Sequence, residues 1–320
     1  MPEIVFLDPI DLHPKHRTAI AQLGEVTFHE TNPANANDPT DETELRKRIA
    51  PAEIAVPNFA TITAETIQSA PNLQYIVTPT QGVNHVNLAA ATARNIPVLN
   101  CPGYSTNAVA EHTMMLILAC LNKTLENHRI IKSGEKPQDP PSNSEILGKN
   151  VLIIGNGRIG ERVAELLAVF KPSEVTILDS KASPSEIDEA LQKADIVTLH
   201  LPLNEQSHKL IDARRLGLMR PGAYLINTAR GAVVDELALH QALINGQIAG
   251  AGLDVFSNEP AAMNILDGQT AALVQHPNVI PTSHTGYYTN EAIHALGAQI
   301  IANIKSCLNG KPQNVVNPKP

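Results

Sequence analysis

Short apolar runs alternate with helix-forming stretches along nearly the whole chain. Brief apolar runs bounded by polar or turn residues read as buried strands. The strand candidates are Ile4–Leu7, Ile54–Val56, Gln74–Val77, Val98–Leu99, Val151–Ile154, Val175–Leu178, Ile196–Leu201, Ala223–Asn227, Ala249–Asp254 and Val279–Ile280. A helical pattern lies between most consecutive pairs. Such alternation calls for parallel strands joined by helical crossovers, hence an α/β protein. No internal repeat of fixed period is evident.

Two places read as boundaries. Asn100-Cys101-Pro102-Gly103 follows a strand and precedes one long helical pattern, Thr106 to Lys132. Lys136 to Ser144 (KPQDPPSNS) is polar and proline-rich, so it reads as a loop or linker. The last helical pattern runs from Glu291 to Leu308. The Pro- and Asn-rich tail after it, Lys311 to Pro320, is expected to be extended or frayed.

Composition narrows the class. A length of 320 residues suits about two domains, and 43% hydrophobic residues suits an ordinary globular core. The net charge of −8 gives no attraction to nucleic acid or to an acidic membrane surface. Aromatic residues are only 3%, with no Trp, which removes most stacking platforms for single strands. The longest apolar run, Met114 to Leu121, is too short to cross a bilayer, and the N-terminus shows no secretory pattern. Cys101, Cys120 and Cys307 are far apart and form no CxxC pair. That argues against a disulfide framework or a metal site and favours a reducing, cytoplasmic setting.

The first chemistry-bearing motif follows the strand Val151–Ile154. Gly155-Asn156-Gly157-Arg158-Ile159-Gly160 leads directly into a helical pattern, Arg158 to Phe170. GxGxxG alone is a weak signal. Here it has strand, turn and helix around it, and Asp179 ends the next strand about twenty residues on. In that context the glycines permit a tight turn, close approach of a pyrophosphate, and close helix–strand packing. The helix N-terminus adds unpaired N–H groups and a positive dipole end. Asp179 can accept from both ribose hydroxyls of NAD, whereas a 2′-phosphate would meet like charge. Ser180 and Lys181 follow, with no Arg to receive such a phosphate. The motif therefore reads as an NAD site rather than a mere tight turn.

The second half supplies reactive side chains at other strand ends. AYLINTARG brings Arg230, GAGLDVFSNEP brings Asp254 and Glu259, and VIPTSHTGYYT brings His284. In an open α/β sheet, ligands sit at the carboxyl ends of the strands. Hydride transfer between NAD and an alcohol carbon requires proton movement at the oxygen, and His suits that near neutral pH. A carboxylate beside the His stabilises its imidazolium. An Arg fork can hold a substrate carboxylate and polarise the adjoining carbonyl. Taken singly, such residues are most often surface or capping groups. Four of them at strand ends favour a site.

These segments resemble the NAD-dependent D-2-hydroxyacid dehydrogenase family nearly end to end. The resemblance rests on GNGRIGERVAE, LHLPL at Leu199–Leu203, NTARGAVVDE at Asn227–Glu236, AGLDVFSNEP, SHTGYYTNEA, NCPGYSTNAVAEHTMMLILA from Asn100, and QGVNHVNL at Gln81–Leu88. It implies two Rossmann-like doubly wound parallel-sheet domains with a cleft between them. A substrate domain of residues 1–100 plus 286–320 would flank an NAD-binding domain of residues 101–285. It implies Arg230, Glu259 and His284 as the catalytic set, with His284 as acid/base and Glu259 as its partner. Gly155, Gly157, Arg158, Ile159, Gly160 and Asp179 would hold the pyrophosphate and ribose. Pro202, Ser207, Thr228, Ala229, Asp254, His284 and Gly286 match positions that line the cofactor. Gln81, Gly82, Val83, Arg230 and Tyr287 match positions toward the substrate, the first three through backbone N–H groups. The long helix after Asn107 implies a homodimer, with Met114, Met115, Leu116 and Ile117 as core or dimer seam.

The chain also departs from the family's pattern. Thr80 stands where a second glycine is common in the carboxylate loop, Asn84 stands where Asp is common, and the stretch from Asp179 to Asp195 is short. The last departure implies a reduced wall on the adenine side. Pro57-Asn58-Phe59 carries no charge for a phosphate, against a phosphoglycerate-type enzyme, and Glu259 stands against a formate-type one. Tyr287 and Tyr288 resemble the aromatic pair of D-lactate-type members. The expected substrate is a small 2-oxo acid such as pyruvate, glyoxylate or hydroxypyruvate. The alternative class is an NAD-sensing, corepressor-like binding protein.

Overall fold

A computed structural model describes residues 1–31, 41–134, 141–257 and 268–317. The chain divides into two compact units, Met1–Ser105 with Tyr288–Pro320, and Thr106–Tyr287.

The first unit runs β1 (Glu3–Phe6), α1 (Pro14–Ala21), β2 (Glu25–Phe28), α2 (Glu42–Ile49), β3 (Ile54–Val56), α3 (Ala64–Gln68), β4 (Tyr75–Val77), α4 (Leu88–Ala93) and β5 (Val98–Leu99). Its strands form one parallel sheet in the order β2-β1-β3-β4-β5. Val5, Ala55, Ile76 and Val98 face one apolar layer; Ile4, Phe6, Ile54, Val56, Val77 and Leu99 face the other. Burial on both faces is why these strands read as continuous apolar runs. The final helix of the chain, Asn290–Leu308 (α12), returns to this unit and buries Leu296, Ile300 and Ile304 in the second layer.

The second unit runs α5 (Thr106–Leu121), α6 (Thr124–Ser133), β6 (Asn150–Ile154), α7 (Arg158–Ala168), β7 (Glu174–Leu178), α8 (Pro184–Lys193), β8 (Ile196–Leu199), α9 (Ala213–Leu218), β9 (Tyr224–Asn227), α10 (Glu236–Ile244), β10 (Gly250–Leu253), α11 (Gly268–Gln275) and β11 (Val279–Pro281). Its parallel sheet has the order β11-β10-β9-β8-β6-β7. The reversal of order lies beside β6, where the chain first goes out to β7 and then crosses back to β8. Among the described residues β7 is the last strand on that side, and Ile177 on it is exposed. The short stretch after Asp179 goes straight into α8 through a capping box between Ser183 and Glu186.

Three differences from the sequence reading have physical causes. The single helix expected over Thr106–Lys132 is two, because Lys123 takes a left-handed backbone (φ 45°). Asn127 stabilises the break by donating its Nδ2–H to the carbonyls of Asn122 and Lys123. β2 does not announce itself in the sequence because it is a half-exposed edge strand in which Glu25 and Thr27 alternate with Val26 and Phe28. The tail is extended but not frayed up to Asn317. Its Asn314 carbonyl accepts from Asn100 N–H, Val316 N–H donates to Val98, and buried Asn317 bonds Val98, Ile96 and Thr92. Within the expected linker, residues 136–140 lie outside the described residues, and 141–144 form no regular element. No helix among the described residues is long and apolar enough to cross a membrane.

Candidate active site

Strand register builds one edge of the second unit. Ile154, Leu178, Leu199, Asn227, Leu253 and Pro281 pair in one row across the sheet. The residues that follow them, Gly155, Asp179, His200, Thr228, Asp254 and Thr282, therefore share its carboxyl edge.

At that edge the glycine loop is shaped by steric need. Gly155 has φ +119°, and a Cβ there would lie 2.3 Å from the His200 carbonyl oxygen. A Cβ on Gly160 would lie 2.0 Å from the Gly155 carbonyl oxygen. Over Gly157 a Cβ would meet open space, which leaves the backbone approachable. Gly157 also opens α7 without any side-chain cap, so the N–H groups of the first turn remain for a ligand. Arg158 is exposed in that turn, and Ile159 packs toward the α5 layer. Asp179 is exposed at the end of β7, and its carboxylate accepts the Lys181 N–H at 2.7 Å. These features fit a dinucleotide: an open glycine cradle and an uncapped helix for the pyrophosphate, with a carboxylate on the neighbouring strand.

The loop after β8 is tied by Ser207, whose Oγ donates to the Pro202 carbonyl at 2.7 Å and accepts from Asn204 N–H. After β9, buried Thr228 shares a hydrogen bond with Thr113 of α5. Asn227 braces the turn: its Oδ1 accepts from Ala229 N–H, and its Nδ2 donates to the Arg230 carbonyl. Arg230 is half-buried there. A Cβ on Gly231 would lie 1.9 Å from the Phe256 carbonyl carbon, so only glycine lets the next strand's loop close against this turn.

Asp254 is the most heavily engaged group. Its buried carboxylate accepts from Thr282 Oγ1 at 2.5 Å, from Thr285 N–H at 3.0 Å and from Gly286 N–H at 3.0 Å. His112 Nε2, from α5, lies 3.2 Å from Asp254 Oδ1 and 2.9 Å from Thr282 Oγ1. Burial pushes the Asp254 carboxyl up, but the His112 and Thr282 hydrogen bonds, the charge of His112 and the Gly286 N–H hold it below the usual carboxylate range. His284 is half-buried, its ring packed edge-on to Tyr287 with centroids 5.8 Å apart.

The edge thus gathers the glycine loop, Asp179, Pro202, Ser207, Thr228, Ala229, Arg230, Asp254, His284, Gly286 and Tyr287 on one sheet. Glu259 lies outside the described residues. Gln81, Gly82 and Val83 belong to the first unit, in the loop after β4. There Thr80 Oγ1 donates to the Gly82 carbonyl, and Asn100 Nδ2 donates to the Gln81 carbonyl. Thr80, where the family commonly has a glycine, thus fastens the loop through its hydroxyl. Burial pushes the thiols of Cys101 and Cys120 up to about 12, which removes them as nucleophiles.

Residues 114–286 match the D-isomer specific 2-hydroxyacid dehydrogenase NAD-binding domain. The chain belongs to that family. Among relatives of this 2-hydroxyacid dehydrogenase, a glyoxylate reductase of Thermofilum pendens is 38% identical, over 80% of this chain and 78% of its own. A D-lactate dehydrogenase of Aquifex aeolicus, solved with NAD and lactic acid, has TM-score 0.84 and 28% identity, over 97% of this chain and 96% of that one. An acyclic imino acid reductase, solved with NADPH and D-Arg, has TM-score 0.86 and 31% identity, over 98% and 99%. Two residues that brace the dehydrogenase's sheet edge, Asn227 at the end of β9 and His112 on α5, were not among the expected site residues. Asn227 was legible as the polar end of an apolar strand. His112 sits in an apolar helix and gave no such signal.

Proposed function

We propose that this dehydrogenase interconverts a small 2-oxo acid and its D-2-hydroxy acid with NADH and NAD. The observation that carries this reading is the single strand-end row that aligns the glycine loop and Asp179 with the loops of Arg230 and His284. Bound at that edge, the nicotinamide cofactor supplies or accepts the hydride.

The chain's own residues do the rest. The first-turn N–H groups of α7, with Arg158 and Ile159, hold the pyrophosphate, and Asp179 accepts from the ribose hydroxyls. Pro202, Ser207, Thr228, Ala229, Asp254 and Gly286 line the cofactor. The Arg230 fork holds the substrate carboxylate. Arg230 also polarises the substrate carbonyl. His284 delivers a proton to the carbonyl oxygen in reduction and takes it back in oxidation, with Glu259 supporting its imidazolium. Tyr287 packs beside His284 and bounds the substrate's side chain.

The absence of charge in Pro57-Asn58-Phe59 supports pyruvate, glyoxylate or hydroxypyruvate over a phosphorylated acid. The likeness to the imino acid reductase supports a second reading, in which the same proton donor serves a C=N bond. Homodimer formation through α5 and α6 is supported by Met115 and Ile131, which are exposed apolar residues on those helices. A cytoplasmic setting is supported by three buried, unpaired cysteines.

The test is cofactor consumption with each 2-oxo acid, with and without an added amine, using NADH and NADPH in parallel. Turnover of a 2-oxo acid alone with NADH supports the proposal. Turnover only when amine is present supports the imine reading. NADH binding without turnover of anything supports the sensor.

A further inference from the structure

Asp254 accepts three consecutive backbone N–H groups. Its carbonyl oxygen takes His284 N–H at 2.9 Å, Oδ1 takes Thr285 N–H, and Oδ2 takes Gly286 N–H. The first of these residues makes the grip matter: His284 has φ +53°, in the left-handed region that a side chain with a Cβ rarely adopts. A residue held there stays only if its surroundings over-determine the conformation. Asp254 supplies that hold.

The hold depends on a carboxylate that is nearly fully buried. A buried charge persists only when it is compensated. Among the described residues, His112 is the one ionisable side chain within hydrogen-bond reach of Asp254. It comes from α5, a helix far away in sequence. It also touches another part of the clamp, Thr282 Oγ1, at 2.9 Å. A Cβ on Gly286 would lie 2.8 Å from Asp254 Oδ2 and 3.3 Å from the His112 ring, so glycine there lets the loop lie flat against both.

We infer that His112 is a positioning residue: by donating its Nε2–H to Thr282 Oγ1, which itself donates to Asp254, and by standing 3.2 Å from the Asp254 carboxylate, it keeps the clamp on residues 284–286 closed, and so fixes where His284 stands. His112 acts through Thr282 and Asp254 and touches neither substrate nor cofactor in this account. The consequence for catalysis rests on the proposed acid/base role of His284; the clamp itself does not.

Two substitutions separate shape from donation. His112→Phe keeps a ring and removes the donor, while His112→Gln restores an N–H at similar reach. Loss of a hydrogen bond to a charged group corresponds to roughly ten- to hundredfold, so amide exchange at Thr285 and Gly286 of the ligand-free protein should rise about tenfold or more in H112F. Exchange in β6 and α7 should stay within about twofold, as should NADH affinity. With saturating NADH and 2-oxo acid, kcat should fall about tenfold in H112F and recover mostly in H112Q. Gly286→Ala, which pushes on the same two partners, should raise exchange at Thr285 even if H112F fails to fold. Wild-type exchange at Thr285 and Gly286 in H112F, or in G286A where H112F does not fold, overturns the clamp. Equal losses in H112F and H112Q overturn the role of the donor. If H284A keeps full turnover, the acid/base reading fails, while the exchange data still decide the clamp.

Discussion

The glycine loop and the His284 loop stand on the same edge of one sheet, yet they are built by opposite means. The glycine loop is backbone geometry. Three glycines within six residues set it, and each of two Cβ atoms would strike a main-chain oxygen of the same unit. The His284 loop is side-chain chemistry. A non-glycine residue is held left-handed by one buried aspartate, which is itself held by a threonine on β11's end and a histidine on α5. A loop that must receive a charged ligand on its own N–H groups gains from bare backbone. A loop that must aim one side chain gains from being gripped.

The largest expected break in this contrast is Gly160→Ala. The new Cβ would press on a main-chain oxygen that cannot yield, so stability should fall by roughly 1–3 kcal/mol and NADH binding should be lost. Denaturant unfolding with an NADH titration checks it. Normal binding in a folded variant would mean that the loop is not set by sterics. Next is Arg230→Lys on the gripped side of the edge. A point charge cannot replace the fork, so kcat/KM for the 2-oxo acid should fall about a hundredfold with the melting temperature unchanged. Wild-type kinetics would remove Arg230 from the site.

Asp179→Ser is expected to be milder. Removing charge-assisted hydrogen bonds to the ribose should raise the KM for NADH about tenfold and narrow the preference over NADPH. Steady-state kinetics with both cofactors read this, and an unchanged ratio would separate Asp179 from cofactor choice. The smallest effect concerns α8, which follows Asp179. Asp188 on α8 bonds Arg214 and Arg215 of α9, and the Arg214 hydrogen bond, with Arg215, holds its carboxyl down to about 2. A depressed carboxyl contributes stability that is present above about pH 4 and is lost as pH falls through about 2. Asp188→Asn should therefore cost at most about 1 kcal/mol at neutral pH, since the pair is partly exposed. Its difference from wild type should shrink below pH ~4. Parallel melts at several pH values check this, and a constant difference down to acid would assign the effect to something other than charge.

The same contrast explains what could be read in advance. Strands buried on both faces announce themselves as apolar runs, so Val151–Ile154 and its neighbours were legible to within a residue or two. The glycine loop was legible because its glycines, the strand before it and the helix after it are contiguous in the sequence. β2 was not, because an edge strand alternates and carries charge. The break at Lys123 was not, because a side-chain amide four residues later stabilises it without spoiling the helical pattern. His112 was not, because its meaning comes from Asp254, which only the folded sheet brings beside it. Asp254 itself was expected to line the cofactor, and its grip on the backbone of the His284 loop came from the structure alone.

The central claim is hydride chemistry on a D-2-hydroxy acid at this edge. It is tested most directly by incubating the purified protein with NADH and pyruvate, glyoxylate or hydroxypyruvate, then following NADH loss and the configuration of the product. The account predicts loss of NADH with at least one of the three, and the D-enantiomer wherever the product is chiral. No NADH consumption with any of them, despite NADH binding, or formation of the L-enantiomer, would contradict it.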